Sequence, residues 1–436
     1  MKPIRLSSQH DVRRHSRRRG FTTPAVAVAL LVVMAGLALI LDRLWLDAAD
    51  LELTTAAEAA ALVAAGELAN DELLKPSADP EHRLNMARNS ATWIASQNLV
   101  AGDPVQLDSS PEGDIRLGRL VLKEDENKVR FEETASNPAT AVVTSLRTRR
   151  TSNPVGLFIA GVTGHASGDV ATRVEASVDN RVVGLRPLAG VPIPALPIAI
   201  WLNDPSGQRP DTWRNQIEAR KGQDEFGYDC LNHTVTSGAD GIPEMTVRSQ
   251  AGGSGLNFNA VVVDVGAGLS DKALAAQFAH GFTTEDLATS GGELSIFDNS
   301  PQNMPASGEV RHGDRVAMES ILGEPRICLL YSTVTPGVTG EITKATCVRM
   351  VAIRILSVKD LSDGSCEFVV QPCVIKTRTA IIDAPYPYST DGVVPVSPYL
   401  TSSSTPATAG ATSAASGQTP ITNSGHPYIY KLHLTH

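Results

Sequence analysis

The sequence predicts an α+β chain: one long N-terminal transmembrane helix followed by mainly β domains outside the cytoplasm. Three observations carry that reading. Residues 21–41, from Phe21 to Leu41, are 21 positions without a formal charge. Residues 42–75 contain no proline and are rich in Ala, Leu and Glu, all good helix formers. Beyond Pro80, short runs alternating apolar and polar residues are separated by Gly, Asp and Asn turns, the pattern of half-buried strands.

The apolar run comes first. A helix of 21 residues is about 31 Å long, against a hydrocarbon core of about 30 Å. It satisfies every backbone N–H and C=O within the segment, as lipid requires. Lys2, Arg5, Arg13, Arg14, Arg17, Arg18 and Arg19 precede it, opposed only by Asp11, whereas residues 42–72 hold eight acids and one base, Arg43. The positive-inside rule then makes residues 1–20 a cytoplasmic basic segment, seats residues 21–41 in membrane lipid and puts the rest of the chain outside. A cleaved secretory signal would have a shorter apolar core, about 7–15 residues, and a small-residue cleavage site directly after it. Here the core runs into Asp42-Arg43-Leu44-Trp45.

The helix is expected to continue outside the membrane over residues 42–75. Pro24 sits near its start, Gly36 and Gly66 are its only weak points, and Pro76 and Pro80 end it. Its outer half is studded with alanines, among them Ala56, Ala57, Ala60, Ala61, Ala64 and Ala65. Small residues allow close approach of another element, either the protein's own domain or another copy in a homo-oligomer.

These same residues carry a resemblance. The run Arg17-Arg18-Arg19-Gly20, the apolar span, Asp42-Arg43-Leu44 and then Thr54-Thr55-Ala56-Ala57-Glu58-Ala59-Ala60-Ala61-Leu62 resembles the amino-terminal signature of TadE/TadG-like proteins of the Flp (tight-adherence) pilus assembly system. Further down, residues 93–105, Asn153-Pro154-Val155-Gly156-Leu157-Phe158, residues 168–176 and residues 192–201 are similar to segments of large TadG-like members. Leu322-Gly323-Glu324-Pro325-Arg326 and residues 348–372 resemble a carboxy-terminal module of planctomycete-type members. The resemblance implies a bacterial inner-membrane, single-pass protein with a pilin-like helix. It would be a pilus-assembly accessory or minor pilin-like protein, non-catalytic, with pilus or envelope assembly proteins as partners. Two departures stand out. Prepilin processing would cut between Gly20 and Phe21, but the fifth residue beyond that bond is Ala25 where prepilins carry Glu. The Asp-x-Ser-x-Ser metal motif of members with a von Willebrand A domain is absent, Asp108-Ser109-Ser110 having the wrong spacing.

The body divides by composition. Residues 76–200 read as an α+β domain: a helix over 82–97 with Leu84, Met86, Ala87, Ala91, Ile94 and Ala95 towards one face, then strands over 115–123, 139–149 and 170–183. Residues 191–200 hold three prolines, which suits an edge strand or strap. Residues 201–254 are a polar connecting region with Trp201, Trp213, Phe226 and Tyr228 as anchors. Residues 255–385 form a β-rich C-terminal domain, with a strand over 260–265, a Ser270-capped helix over 272–280 and strands over 326–333, 346–358 and 366–379. Residues 386–436 are a Ser/Thr/Pro-rich tail too poor in apolar surface to fold, with 428–434 as a candidate last strand.

Chemistry-bearing motifs are few. A net charge of −9 and 5 % aromatics exclude a general nucleic-acid binder. Cys328, Cys347, Cys366 and Cys373 are candidates for disulfides between adjacent strands, since an extracytoplasmic location permits them; Cys366 and Cys373 are too far apart along one straight strand to bond each other. The alternative is that they, with Cys230, are small buried apolar residues. No Cys-x-x-Cys spacing marks a zinc site. His165, Ser167 and Asp169 are too close in sequence to converge as a triad. Gly266-Ala267-Gly268 lacks the third glycine of a dinucleotide loop and carries Asp271 instead, so it reads as a tight strand–helix turn. His280 and His312 have no ligand-spaced partner. The sequence thus assigns no catalytic, cofactor or metal residue. A membrane-anchored periplasmic hydrolase and a cell-surface adhesin are the alternative readings, the first requiring a convergent Ser/His/Asp site and the second a carbohydrate- or metal-binding pocket.

Overall fold

The computed structural model of the chain describes residues 22–123, 128–160, 164–230, 232–250, 258–296, 300–338, 340–382 and 425–435. The processing pair Gly20 and Phe21 and most of the expected tail lie outside the described residues.

Helix α1 runs unbroken over Thr22–Leu68, 47 residues or about 70 Å. It stops at Asn70, whose backbone turns extended and whose side chain accepts from Glu72 N at 3.1 Å to start one 3-10 turn, Asp71–Leu74. Helix α2 (Pro80–Ser96) begins on Asp79, which accepts from Glu81 N, with Pro80 in its first turn. Leu84, Ala87, Ala91 and Ala95 recur every three or four residues and are its buried stripe. Met86, expected on that face, is exposed, since it falls off the stripe.

Among the described residues, thirteen strands build two larger sheets. In chain order they are β1 (Ile115–Lys123), β2 (Lys128–Glu133), β3 (Thr140–Arg147), β4 (Val170–Asp179), β5 (Ala195–Trp201), β6 (Met245–Arg248) and β7 (Ala260–Val263). These are followed by β8 (Gln302–Ser307), β9 (Arg326–Pro336), β10 (Ile342–Asp360), β11 (Cys366–Pro372), β12 (Ile375–Lys376) and β13 (Ile429–Thr435). Helices α3 (Asp271–His280) and α4 (His312–Glu319) fall among them and pack on each other. One long apolar helix followed by a mostly β region makes the chain α+β, as the sequence predicts.

The six-stranded sheet has the order β12-β13-β4-β3-β1-β2. Its C-terminal strand β13 pairs antiparallel with β4, from Lys431 opposite Asp179 to Thr435 opposite Glu175, so residues 252 to 260 positions apart in sequence sit side by side. The seven-stranded sheet has the order β6-β11-β10-β8-β7-β5-β9, and β9 also pairs β10. That extra pairing closes β10, β8, β7, β5 and β9 into a ring, all antiparallel except β5 beside β9. A closed ring leaves its members no free edge.

Residues 191–200 correct the expectation of an edge strand. Strand β5 is paired on both sides, to β7 and to β9. Proline is tolerated because Pro192 and Pro194 precede the strand. Pro197 lies before the first β7 pair (Ile198 opposite Val262), and within an irregularity of the β9 ladder between Ala195 and Ala199. The sheets also cut across the composition-based segments. Residues 201–254 supply β6 to the seven-stranded sheet, together with Trp213, which is fully buried with its ring edge-on to Tyr428 at 6.0 Å.

Two compact units result: residues up to 52 together with 146–171, and residues 53–145 together with 172–436.

Candidate functional site

The feature most able to carry function is α1, which contributes to both units. Within the first unit, Val26, Val28, Leu30, Leu31, Val32, Val33, Met34, Leu37, Leu39, Ile40 and Leu41 are all exposed. Water would not tolerate that much contiguous aliphatic surface on an ordinary soluble helix. The helix is long and apolar enough to cross a membrane.

Immediately beyond the apolar run, the same unit places a short hairpin against α1. Val155–Gly156 pairs with Ser167–Gly168, and Leu157 N donates to Ala166 O at 3.0 Å. Asp42 is 4 % exposed and accepts the Phe158 N–H on Oδ1 at 3.1 Å. Trp45 donates its indole N–H to Gly156 O at 3.1 Å, and its ring lies 4.8 Å from the Phe158 ring. Gly168 is needed for the approach: a Cβ there would stand 2.6 Å from Leu46 Cδ2. The hairpin is anchored at its base by Asp169, which accepts from Arg149 N at 3.0 Å and from its Nε at 3.3 Å. His165 is exposed on this hairpin. The three residues that looked like a triad therefore belong to one small turn, where Asp169 orders the backbone.

Within the second unit, the outer half of α1 is buried. Leu53, Ala56, Ala57, Ala60, Ala61, Ala64, Ala65 and Leu68 are at most 1 % exposed. Their cover is the six-stranded sheet: Thr54 Oγ1 reaches Thr172 Oγ1 on β4 at 3.2 Å, and a Cβ on Gly66 would meet Leu432 of β13 at 3.8 Å. Of the two roles the alanine face suggested, packing on the protein's own domain is the one the burial supports.

A charged joint closes the end of the helix. Asp71 accepts from Val374 N at 2.7 Å and is ion-paired with Arg354 of β10. The Arg354 guanidinium lies over the Tyr228 ring, 4.1 Å from its centre. Burial works against that charge, but the paired Asp71 carboxylate helps hold Arg354 above its ordinary pKa. Lys376 Nζ donates to Gly66 O at 3.0 Å, its pKa lowered by burial despite Glu67 and Asp71 nearby. Arg220 donates to Leu74 O at 2.9 Å and to Gly241 O. Sequence reasoning missed this joint. Asp71 and Arg354 stand 283 residues apart, and neither sits in a motif.

The remaining candidates are structural. Cys328, Cys347, Cys366 and Cys373 are buried free thiols, and the register sets no two of them opposite each other: Cys328 faces Val351, Cys347 faces Tyr331 and Gln302, and Cys366 faces Asp360. Burial pushes Cys347 and Cys373 up to about 12 and Cys366 to about 11, which removes thiolate reactivity. In the loop of Gly266 and Gly268, both glycine N–H groups donate to Asp264 Oδ1, at 2.7 and 2.8 Å, so the donors a phosphate would need are occupied within the turn. Among the described residues no group of three His, Cys, Asp or Glu is placed to hold a metal ion. A cavity lined by Leu120, Thr140, Ser177 and His433 has about 10 Å³, room for roughly one water.

No family model, curated protein or solved structure matches the chain.

Proposed function

We propose that this is a single-pass envelope protein of the Flp pilus-assembly class, an accessory or minor pilin-like subunit. Residues 21–41 hold it in the inner membrane with the N-terminus cytoplasmic, and its β-rich body acts outside through protein contacts, without catalysis. The observation that carries the anchor is α1 itself: a run of exposed large aliphatic residues on a helix that continues without a break into a buried alanine face. The pilus-assembly assignment is supported by the resemblance over residues 17–62.

Within the second unit, the Asp71–Arg354 joint ties the 3-10 turn that follows α1 to β10.

The test is intact mass combined with membrane fractionation and shearing of the native cells. Full-length protein in the inner membrane supports the accessory reading. A mass starting at Phe21 with protein in sheared fibres makes it a processed structural subunit. A chain starting beyond Leu41 in the soluble fraction removes the anchor.

A further inference from the structure

The hairpin beside α1 leaves Phe158 70 % exposed although its ring touches Trp45. Phe158 lies within the apolar sequence Leu157-Phe158-Ile159-Ala160. We propose that this turn enters the membrane–water interface next to the anchor helix, as a second lipid-contacting element. The proposal rests on the anchor reading above and adds to it a contact made by residues more than a hundred positions away.

The level of the turn on the helix carries the argument. Phe158 N is bonded to Asp42, one residue past Leu41, and its ring meets Trp45, four residues past Leu41. At 1.5 Å per residue those points lie about 1.5 and 6 Å beyond the apolar run. The headgroup region on each side of the hydrocarbon core is about 5–7 Å deep. Trp45 and Phe158 therefore fall in the layer where aromatic rings collect in membrane proteins. The strip of α1 that is covered includes Ala38, at 2 % exposure, one turn inside the apolar run, while Leu37, Leu39, Ile40 and Leu41 around it stay exposed.

Among the described residues of the turn, three backbone amides are already bonded. Leu157 N is bonded to Ala166 O, Phe158 N to Asp42 Oδ1 and Gly164 N to Ala160 O. An N–H left open there would cost several kcal/mol in lipid. Asp42, a buried carboxylate at the edge of the span, satisfies the turn's amide through Oδ1, while its Oδ2 is buried without a hydrogen-bond partner.

The experiment uses the full chain in phosphatidylcholine vesicles. Cys230, the exposed cysteine, is changed to Ser, and single cysteines are introduced by Phe158→Cys, Met34→Cys and Leu188→Cys for labelling with an environment-sensitive fluorophore. Nitroxide lipids then quench from either the headgroup boundary or mid-chain. The proposal expects the label at 158 to be quenched by the shallow nitroxide about twofold or more above the label at 188, with the label at 34 quenched by the deep one. Quenching at 34 without quenching at 158 overturns the interfacial turn and leaves the anchor standing. Absence of quenching at 34 removes the anchor, and the proposal with it.

Discussion

The two halves of α1 are one helix, yet their apolar residues meet opposite surroundings. The large Val, Leu, Ile and Met side chains of the inner half are exposed, whereas the outer half, which also carries Asp47, Asp50, Glu52, Glu58 and Glu67, has an alanine face buried to 1 % or less. Between those two apolar surfaces the difference lies in side-chain size. Large aliphatic residues fill a fluid environment, and small ones bring a helix backbone close to a fixed sheet. Size along a single helix therefore marks where one partner gives way to the next.

The largest expected effect breaks the outer half's attachment. Asp71→Ala leaves Arg354 buried without its carboxylate and Val374 N without its acceptor. Removing one member of a buried pair costs about 3–5 kcal/mol. Thermal unfolding of the full-length protein in micelles should show a large loss with membrane association unchanged. A shift equivalent to under about 1 kcal/mol would mean that the alanine face holds the helix without the joint.

The inner half is broken by Val32→Arg. A central arginine costs about 2.5–3.5 kcal/mol on the insertion scale. The expected outcome is a shift of protein from the membrane to the soluble fraction at unchanged stability of the β body, the reverse of Asp71→Ala. Equal effects of the two variants on both readouts would dissolve the distinction between the halves.

Acid should loosen the outer half alone. Strand β13, which faces Gly66 through Leu432, is held at its start by His426. That ring accepts from Tyr428 N and Ile429 N on Nδ1, at 3.2 and 3.0 Å, which leaves Nε2 as the donor to Met350 O at 3.0 Å. Burial lowers its pKa from 6.5 to about 4. A histidine held neutral contributes fully above its unfolded pKa and loses that contribution as pH falls from about 6.5 towards 4. The ring is half-buried, so solvent screening reduces the effect to about 2 kcal/mol. Asp240 and Glu244, whose pKa values burial raises, titrate with the opposite sign. The comparison is therefore wild type against His426→Asn, which keeps an acceptor near the Nδ1 position. The variant's stability should fall less between pH 6.5 and 4, and parallel profiles would assign the acid sensitivity elsewhere.

Much of this architecture was legible in the sequence because it is local. The charge-free run, the Ser270 cap and the candidate last strand over 428–434 each lie within a few residues of the element they specify. Strands such as β1, β3 and β9 were expected close to their observed ends for the same reason, whereas β2, β6 and β8 were not expected at all. What could not be read was long-range. β13 returns to β4 across some 250 residues, β5 is placed inside a ring despite its prolines, and Asp71 finds Arg354. Pro197 misled because its cost depends on which neighbour needs an N–H, and that is set by pairing alone. The hairpin at Asp42 was hidden likewise: Phe158 is an ordinary residue until Trp45 stands beside it.

The smallest expected effect sharpens the comparison most directly, because it makes the same kind of change in both halves. Ala60→Leu adds three carbons to a fully buried position, where overpacking costs about 1–3 kcal/mol. Ala29→Leu adds the same atoms to an exposed position of the inner half, where lipid yields and the added surface favours the membrane slightly. If side-chain size sorts the surroundings of the two halves, Ala60→Leu lowers the melting temperature and Ala29→Leu leaves it unchanged. Were Ala29→Leu equally destabilising, the inner half would also be packed against a rigid partner. A helix bundle or a filament would then surround it in place of fluid lipid.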